Sequence, residues 1–374
     1  MFSRPVWAEI DLSALKNNVV QIRNKLANNT KIMAVVKGNA YGHGTVAIAK
    51  ALQKEGITYF SVAILEEAIE LREAGIEDEI LILGWTPPED FEKALDYGLT
   101  FCIYDEEEAY MLDALAKKKG VKAKIHIKLD TGMTRIGFLP GPENEARIAD
   151  IFSLSNIYVE GIFTHLSKAD EKNKEYALQQ IDHFKRYVDT IEALTGCSIP
   201  LKHAANSASI LSLPEAHFDI VRAGIILYGL KPSDEVGLER SGLRPVLSLK
   251  ARLSRVKNIP PETLVSYGGF FKTDHLTKIG TIPIGYADGY TRLLSDKGQV
   301  VVRNKKRRII GKICMDQCMV TLDGIENIDK GEEIFLIGGY DVCETADDVA
   351  EKIGTINYEI VSMISKRVPR IYKE

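Results

Sequence analysis

Two features that reveal where many proteins reside are missing from this sequence of 374 residues. No apolar run approaches the roughly 18 residues that cross a membrane. Charges at Arg4, Glu9 and Asp11 interrupt the segment where a signal peptide would need an apolar core. The five cysteines are odd in number and scattered, so we do not expect a disulfide framework. These absences predict a cytoplasmic protein with reduced thiols and no membrane partner.

An excess of one charge is also lacking. The formal net charge is −4, which gives no general attraction to nucleic acid. No metal site is expected either, because Cys314 and Cys318 have neither a second cysteine pair nor a histidine near them in the sequence. Apolar residues make up 45% and charged residues 27%, which is typical of a folded globular protein.

What the sequence does contain is a repeating unit of a short apolar strand, a polar turn and an amphipathic helix. The strand candidates are 31–36, 58–64, 79–84, 99–104, 123–130, 157–163, 200–206 and 219–227. Eight such units predict a closed (β/α)8 barrel of the TIM type, with an open doubly wound sheet as the alternative. We assign residues 1–240 to this domain.

The pattern changes between residues 231 and 245, which are polar and rich in proline and glycine, as linkers are. Beyond them apolar and polar residues alternate, which predicts a mainly antiparallel β domain over residues 241–374. Near the end of this domain, Thr345 and Asp348 have the spacing of a capping box and predict the start of a helix.

Lys37 follows the first strand of the predicted barrel directly, with no carboxylate close to it in the sequence. In a barrel the carboxyl ends of all strands lie on one face, which carries the chemistry of such enzymes. That face would also collect Tyr41, Lys128, Asp130, Arg135, His165, Asn206, Ser207, Arg222 and Gly224. A single lysine there is usually a surface side chain, but polar residues at corresponding places in several units favour a site.

The residue types narrow the chemistry. A lysine that is desolvated by apolar neighbours has a lowered pKa and can form a Schiff base with an aldehyde. Ser207, a tyrosine hydroxyl and the backbone near Gly224 could bind a phosphate group. Together they indicate either a sugar-phosphate aldolase or a pyridoxal-phosphate enzyme, and spacing alone leaves both open.

Nine motifs, in order along both predicted domains, resemble the alanine racemase family. They are AVVKGNAYGHG (34–44), KLDTGMTRIGF (128–138), FTHLSKAD (163–170), HAANSA (203–208), DIVRAGIILYG (219–229), VSYGGFF (265–271), IGYADGY (284–290), GKICMDQCMV (311–320) and TINYEIVSMI (355–364). The first is similar to the family's pyridoxal-phosphate lysine motif and departs from it at Gly38, where an alanine is more usual. The resemblance covers essentially the whole chain.

The resemblance implies roles on the barrel face. Lys37 would hold pyridoxal 5'-phosphate as a Schiff base. Its phosphate would be bound by Tyr41, Ser207, Tyr358 and the backbone near Gly224 and Ile225. Arg222 would face the pyridine nitrogen, and His165 would support both Arg222 and a catalytic tyrosine. Arg135 would contact the cofactor and the substrate carboxylate.

The resemblance also implies a homodimer with shared active sites that interconverts L-alanine and D-alanine. Tyr267 would reach over from the partner subunit as the second acid/base, opposite Lys37, because racemisation needs a base on each face of the α-carbon. The backbone of Met315 would help bind the substrate, and Tyr286 would narrow the pocket. Lys128 stands where some members carry a carbamylated lysine. The D-alanine would serve peptidoglycan synthesis, or the enzyme would serve alanine catabolism.

Two other pyridoxal-phosphate classes fit the sequence less well. Decarboxylases of similar layout resemble the chain, but they have an acidic residue where Arg222 stands. Non-catalytic carriers of the cofactor resemble the barrel alone and lack the segment that bears Tyr267 and Met315.

Overall fold

The computed structural model describes residues 4–27, 29–236, 241–338 and 343–374. The first strand, β1 (Val6–Asp11), leads into helix α1 (Leu12–Arg23). The Asp11 carboxylate accepts a hydrogen bond from the backbone N–H of Ala14 (2.8 Å) and so caps this helix. Within the described ranges, no helix combines the length and apolar character needed to cross a membrane.

Eight parallel strands follow. They are β2 (Lys31–Val35), β3 (Tyr59–Val62), β4 (Glu79–Ile82), β5 (Phe101–Ile103), β6 (Ala123–Lys128), β7 (Ile157–Phe163), β8 (Leu201–His203) and β9 (Ile220–Ala223). The intervening helices are α2 (Lys37–Tyr41), α3 (Thr45–Lys54), α4 (Leu65–Glu73), α5 (Phe91–Asp96), α6 (Glu106–Lys119), α7 (Pro142–Phe152), α8 (Glu175–Thr195) and α9 (Ser207–Ser212). Each strand lies inside a segment predicted to be one.

The sheet closes on itself. Strands pair in the orders β4-β3-β2-β9 and β5-β6-β7-β8. At the join between β4 and β5, the N–H of Thr100 donates to the carbonyl of Ile80 (3.0 Å). At the other join, the N–H of Arg222 donates to the carbonyl of Ala205 (3.0 Å). The (β/α)8 barrel is therefore confirmed, and the open sheet is excluded.

Helix α8 shows why the helical patterns were readable in the sequence. Its buried residues Ile181, Phe184, Val188 and Ile191 recur at three- and four-residue spacing, which forms one apolar stripe against the barrel. Gly196 ends the helix in the left-handed conformation (φ 66°) that glycine adopts without steric cost. Each apolar side chain buried in this way contributes about 1.5–3 kcal/mol to folding.

The second domain is mainly antiparallel β structure, as predicted. Its strands are β10 (Leu247–Arg252), β11 (Arg255–Ile259), β12 (Leu264–Val265), β13 (Phe271–Lys272), β14 (Thr277–Ile282), β15 (Gln299–Val302), β16 (Lys305–Ile310), β17 (Cys318–Thr321), β18 (Glu333–Ile337) and β19 (Arg370–Lys373). Two helices precede the last strand, α10 (Ala346–Ile353) and α11 (Asn357–Ser362). The large sheet has the order β11-β14-β17-β16-β15-β18-β10-β1-β19.

The position of β1 differs from the assignment of all residues 1–240 to the barrel. Ala8 lies opposite Leu249 in the antiparallel neighbour β10 and opposite Arg370 in the parallel neighbour β19. The first strand therefore belongs to the sheet of the second domain. Its alternating pattern predicts a half-buried strand but does not specify which sheet will bury it. The boundary at residue 240 itself lies outside the described residues.

Candidate active site

A cavity of about 600 Å³ opens at the carboxyl ends of the barrel strands, where barrel enzymes bind their ligands. The predicted site residues that line it are Lys37, Tyr41, Lys128, Arg135, His165, Asn206, Ser207, Arg222, Gly224, Ile225 and Tyr358. All but Tyr358 belong to the barrel, and Tyr358 enters from α11 of the second domain. The cavity thus lies where the two domains meet.

Lys37 enters the cavity from a left-handed turn. Gly38, Asn39, Ala40 and Tyr41 all have positive φ, between 51° and 63°. Residues other than glycine are strained in this conformation, at a cost of roughly 1–2 kcal/mol each, and such strain persists where the surroundings enforce it. The turn places the side chains of Lys37 and Tyr41 in the same cavity.

The surroundings of Lys37 favour its neutral form. Burial lowers the pKa of its amine, and the positive charges of Arg135 and Arg222 lower it further, against an opposing effect of Glu67. The Glu67 carboxylate is occupied by the turn, because it accepts a hydrogen bond from the N–H of Gly38 (2.6 Å). A lysine with a lowered pKa has a larger neutral fraction, which can act as a nucleophile or a base.

Next to Lys37 lies a cradle of hydrogen-bond donors. The N–H of Gly224 is 3.1 Å from Oγ of Ser207, and a Cβ atom on residue 224 would lie 2.9 Å from Oη of Tyr41. The rings of Tyr41 and Tyr358 tilt against each other with centroids 6.1 Å apart. Burial raises the pKa of both phenols, which keeps them protonated as donors. Hydroxyls and backbone amides suit a phosphate group.

The side chain of Arg222 is buried, and its guanidinium donates four hydrogen bonds. Its guanidinium donates to the carbonyls of Thr164 (2.8 Å) and Ala204 (3.1 Å). It also donates to Nδ1 of His203 (2.9 Å) and of His165 (3.3 Å). Burial, followed by the charge of Arg222, holds the pKa of both histidines well below the usual value, so both are neutral. The expected contact between His165 and Arg222 is present.

Lys128 is buried under the cavity. Its Nζ donates to the carbonyl of Leu129 and lies 5.5 Å from the centroid of the Phe163 ring. Burial lowers the pKa of this amine to about 8. The neutral fraction near pH 7 is therefore larger than that of an ordinary lysine, and the neutral amine is the form that carbamylation requires; carbamylation itself remains a prediction.

Asp130 bonds to the backbone of the loop that follows it and forms no ion pair with Arg135. One Asp130 carboxylate oxygen accepts hydrogen bonds from the N–H groups of Gly132, Met133 and Thr134, at 2.9, 2.9 and 3.0 Å. The carboxylate thus holds the loop that carries Arg135 over the cavity.

Three predicted site residues lie elsewhere in the same chain. Tyr267, Tyr286 and Met315 belong to the second domain and do not line the cavity. Their exposed fractions are 71%, 43% and 53%. Phe270, close to Tyr267 in the sequence, is also exposed. Large exposed apolar side chains of this kind mark interaction surfaces.

Sequence reasoning missed three buried residues behind Arg222: His126, Glu160 and His203. His126 precedes Lys128 by two residues on β6, which places both on one face of the strand. His203 opens the motif HAANSA, so both histidines could have been found. Nothing in a single sequence indicates Glu160.

Two family models match the chain. The model for the N-terminal domain of alanine racemase matches residues 10–232, and the model for its C-terminal domain matches residues 246–372. The chain belongs to the alanine racemase family. It is therefore an enzyme, a racemase, and the cavity that holds Lys37 is its candidate active site.

Relatives share the full length of this racemase. The alanine racemase of Desulfovibrio desulfuricans is 48% identical over 373 residues, which cover 100% of this chain and 99% of that protein. The structure of alanine racemase from Clostridium difficile 630 has a TM-score of 0.96 and 43% identity, and the match covers 100% of this chain and 97% of that one. The Bacillus anthracis structure with bound L-Ala-P has a TM-score of 0.93 and 36% identity, with coverages of 100% and 96%.

Proposed function

We propose that this racemase interconverts L-alanine and D-alanine with pyridoxal 5'-phosphate held in the Lys37 cavity. The observation that carries the proposal is the half-buried Lys37 amine, which lines the cavity at the active face of the barrel and whose pKa is lowered there. The names of the relatives support alanine as the substrate.

The residues of the cavity fit this cofactor. A neutral amine at Lys37 can bond covalently to its aldehyde carbon. The hydroxyls of Tyr41, Ser207 and Tyr358 would hold its phosphate, together with the backbone near Gly224, where a Cβ atom would intrude on Tyr41. When bound, pyridoxal phosphate supplies an electron-withdrawing ring that stabilises negative charge on the substrate's α-carbon.

Two bases on opposite faces of the α-carbon would move its proton. Nζ of Lys37 would take the proton from one enantiomer, and the phenol of Tyr267 of the partner subunit would return one on the other face. Tyrosine has a reference pKa of about 10, so its ionised form needs nearby positive charge. His165 carries its proton on Nε2, because its Nδ1 accepts from Arg222. That proton is available to hydrogen-bond the phenol.

The remaining roles concern positioning. Arg222 would face the cofactor's pyridine nitrogen only as a donor, because a guanidinium has no acceptor. Arg135 would bind the substrate carboxylate, and carbamylated Lys128 would hold Arg135 in place. The backbone of Met315 would contact the substrate, and Tyr286 would restrict the cavity to a small side chain.

A homodimer with shared active sites would complete the cavity. The exposure of Tyr267, Tyr286 and Met315, together with their separation from Lys37 in one chain, supports this arrangement. We also propose a cytoplasmic location, which the five unpaired cysteines support. There the enzyme would serve peptidoglycan synthesis or alanine catabolism. The division into domains near residue 240 belongs to the same proposal.

The test is a solvent-exchange assay joined to a covalent label. Incubated with L-alanine in D₂O, the protein should abolish the optical rotation while deuterium enters the α-carbon. Borohydride reduction followed by peptide mapping should place the cofactor on Lys37. Lys37→Ala should lose both signals, whereas Lys31→Ala, a change to the exposed lysine that begins β2, should keep them. Unchanged rotation would refute the reaction, and a label on another residue would refute the role of Lys37.

A further inference from the structure

A line of hydrogen bonds runs through the barrel core behind Arg222. Nη1 of Arg222 is 2.9 Å from Nδ1 of His203, whose Nε2 is 2.8 Å from Nδ1 of His126. Nε2 of His126 is 3.1 Å from Oε2 of Glu160. All four residues are buried. His203, His126 and Glu160 do not line the cavity. None of them has a role in the proposed reaction.

The protons along this line can be arranged in one direction only. Arg222 is a donor, so Nδ1 of His203 must accept, and neutral His203 carries its proton on Nε2. That proton is donated to Nδ1 of His126, which must therefore carry its own proton on Nε2. The last proton meets a carboxylate of Glu160, which can only accept. Every donor in the line has an acceptor.

The barrel backbone is shaped to admit these side chains. Along β6 and β7, Val159 lies opposite Ile125 and Gly161 lies opposite His126, so Glu160 is an extra residue at a bulge. Bulges redirect side chains and recur beside active sites. A Cβ atom on Gly161 would lie 2.6 Å from Nδ1 of His126, so only glycine leaves room for the imidazole ring.

The two ends of the line carry opposite charges. The neighbours of Arg222 in the cavity include a second guanidinium, that of Arg135, and among the described residues no carboxylate forms an ion pair with Arg222. A buried charge without compensation is costly. The nearest compensation along its hydrogen bonds is Glu160.

Glu160 is ionised in these surroundings. Burial by itself raises the pKa of this carboxyl, but the hydrogen bond from His126 and the charge of Lys124 outweigh that effect and lower the pKa below its usual value. Nζ of Lys124 lies 3.9 Å from the carboxylate, at the end of the line away from Arg222.

We propose that Glu160, His126 and His203 act as one array of positioning residues that fixes the orientation of the Arg222 guanidinium and the tautomer of His203. The other hydrogen bonds of the Arg222 guanidinium go to the carbonyls of Thr164 and Ala204 and to Nδ1 of His165, which lines the cavity. This inference rests on the proposed function, in which Arg222 faces the cofactor ring.

Kinetics of four variants test the array. His203→Leu breaks it, whereas His203→Gln keeps one acceptor and one donor. Glu160→Gln keeps the shape and removes the charge. Glu192→Gln is the matched control, because it neutralises a carboxylate that pairs with Lys202 outside the array. We expect kcat to fall roughly 10- to 100-fold in His203→Leu, the range typical when outer hydrogen-bond partners are lost, with KM changed less than about threefold.

His203→Gln should recover most of that kcat, Glu160→Gln should be intermediate, and Glu192→Gln should match the unaltered protein. A folded His203→Leu or Glu160→Gln variant with unchanged kcat would overturn the proposal. So would a failure of His203→Gln to exceed His203→Leu, because the hydrogen bonds would then not be what matters.

A second measurement does not depend on catalysis. Side-chain ¹⁵N NMR of the cofactor-free protein should show His203 and His126 as neutral rings, each protonated on Nε2 and bare on Nδ1. Glu160→Gln should move both sets of signals, and Glu192→Gln neither. A protonated Nδ1 on either ring would overturn the array even in an active racemase. The predicted signals in a protein without racemase activity would instead refute only the proposed function.

Discussion

Lys37 and Asp130 show how the same direction of pKa shift has opposite consequences for a base and an acid. Burial lowers the pKa of the Lys37 amine and favours its neutral form. Burial by itself raises the pKa of Asp130, but hydrogen bonds from Thr134, Gly132 and Met133, together with the charge of Lys128, lower it overall. The charged form of Asp130 is thus favoured. Lys37 becomes more reactive because its uncharged form is favoured, whereas the charge of Asp130 holds the loop that follows it.

Asp130→Ala should destabilise the protein in a pH-dependent way. Loss of an acceptor that serves three N–H groups should lower the free energy of unfolding by about 1.5–3 kcal/mol at pH 7. Because the folded-state pKa of Asp130 is below the unfolded value of about 3.9, its contribution is complete above that value and disappears as the pH falls through the folded-state pKa. Urea unfolding at a series of pH values measures this.

Asp130→Asn is the control for that experiment, because its side-chain oxygen can accept the same hydrogen bonds without the charge. It should lose less stability than Asp130→Ala at pH 7. A difference between Asp130→Ala and the unaltered protein that stays constant down to acid pH would contradict a role for the ionised carboxylate.

At the scale of secondary structure, two segments near the site contrast in how well local rules describe them. Helix α10 begins with the predicted capping box: Oγ1 of Thr345 accepts from the N–H of Asp348 (3.1 Å), whose carboxylate accepts from the N–H of Thr345 (2.8 Å). The turn α2 breaks the local rules with its successive positive φ angles. It carries two residues of the cavity, Lys37 and Tyr41.

Thr345→Ala should weaken the start of α10. Loss of the cap should reduce the free energy of unfolding by about 1 kcal/mol in urea titrations. Thr190→Ala is the matched control, because Thr190 lies inside α8 and donates only to the carbonyl of Arg186. Alanine forms helix better than threonine, so this control should be neutral or slightly stabilising. Equal losses in both variants would exclude a capping effect.

At the scale of the whole molecule, the second domain contains both the first and the last strand and also contributes to the active site. Strand β1 joins the first residues to β10 and β19, and α11 contributes Tyr358 to the cavity. The same domain exposes Tyr267, which does not line the Lys37 cavity of its own chain. The proposed site divided between subunits would account for both positions.

Mixed dimers test that division. Lys37→Ala and Tyr267→Phe should each be nearly inactive as homodimers, because racemisation in either direction needs both bases. If each site uses Lys37 of one chain and Tyr267 of the other, a mixed dimer has one intact site and one with both defects. After unfolding and refolding an equal mixture, activity should return to about a quarter of the unaltered level, because about half of the dimers are mixed.

The control is the same unfolding and refolding of each variant alone, which should restore no racemase activity. If both residues belonged to one chain's site, no combination of the two variants could contain an intact site. Absence of recovery in mixed dimers shown to form would therefore refute the shared site.

Much of the fold was predictable because it follows from local chemistry. The eight barrel strands and the helices between them are readable from apolar periodicity, since each element buries one face. The residues that line the cavity from the barrel could be predicted as a group, because parallel strands bring their carboxyl ends to one face. Glu160 could not, because its inward position depends on a bulge in β7 that no local pattern records.

The sequence by itself determined the barrel, the β domain and the lysine at the end of the first barrel strand, since each depends on neighbours along the chain. Only the tertiary structure decided which sheet receives β1, how the turn after Lys37 is wound, and that Glu160, His126 and His203 connect behind Arg222. These features depend on atoms that are far apart in the chain and meet only when the barrel closes.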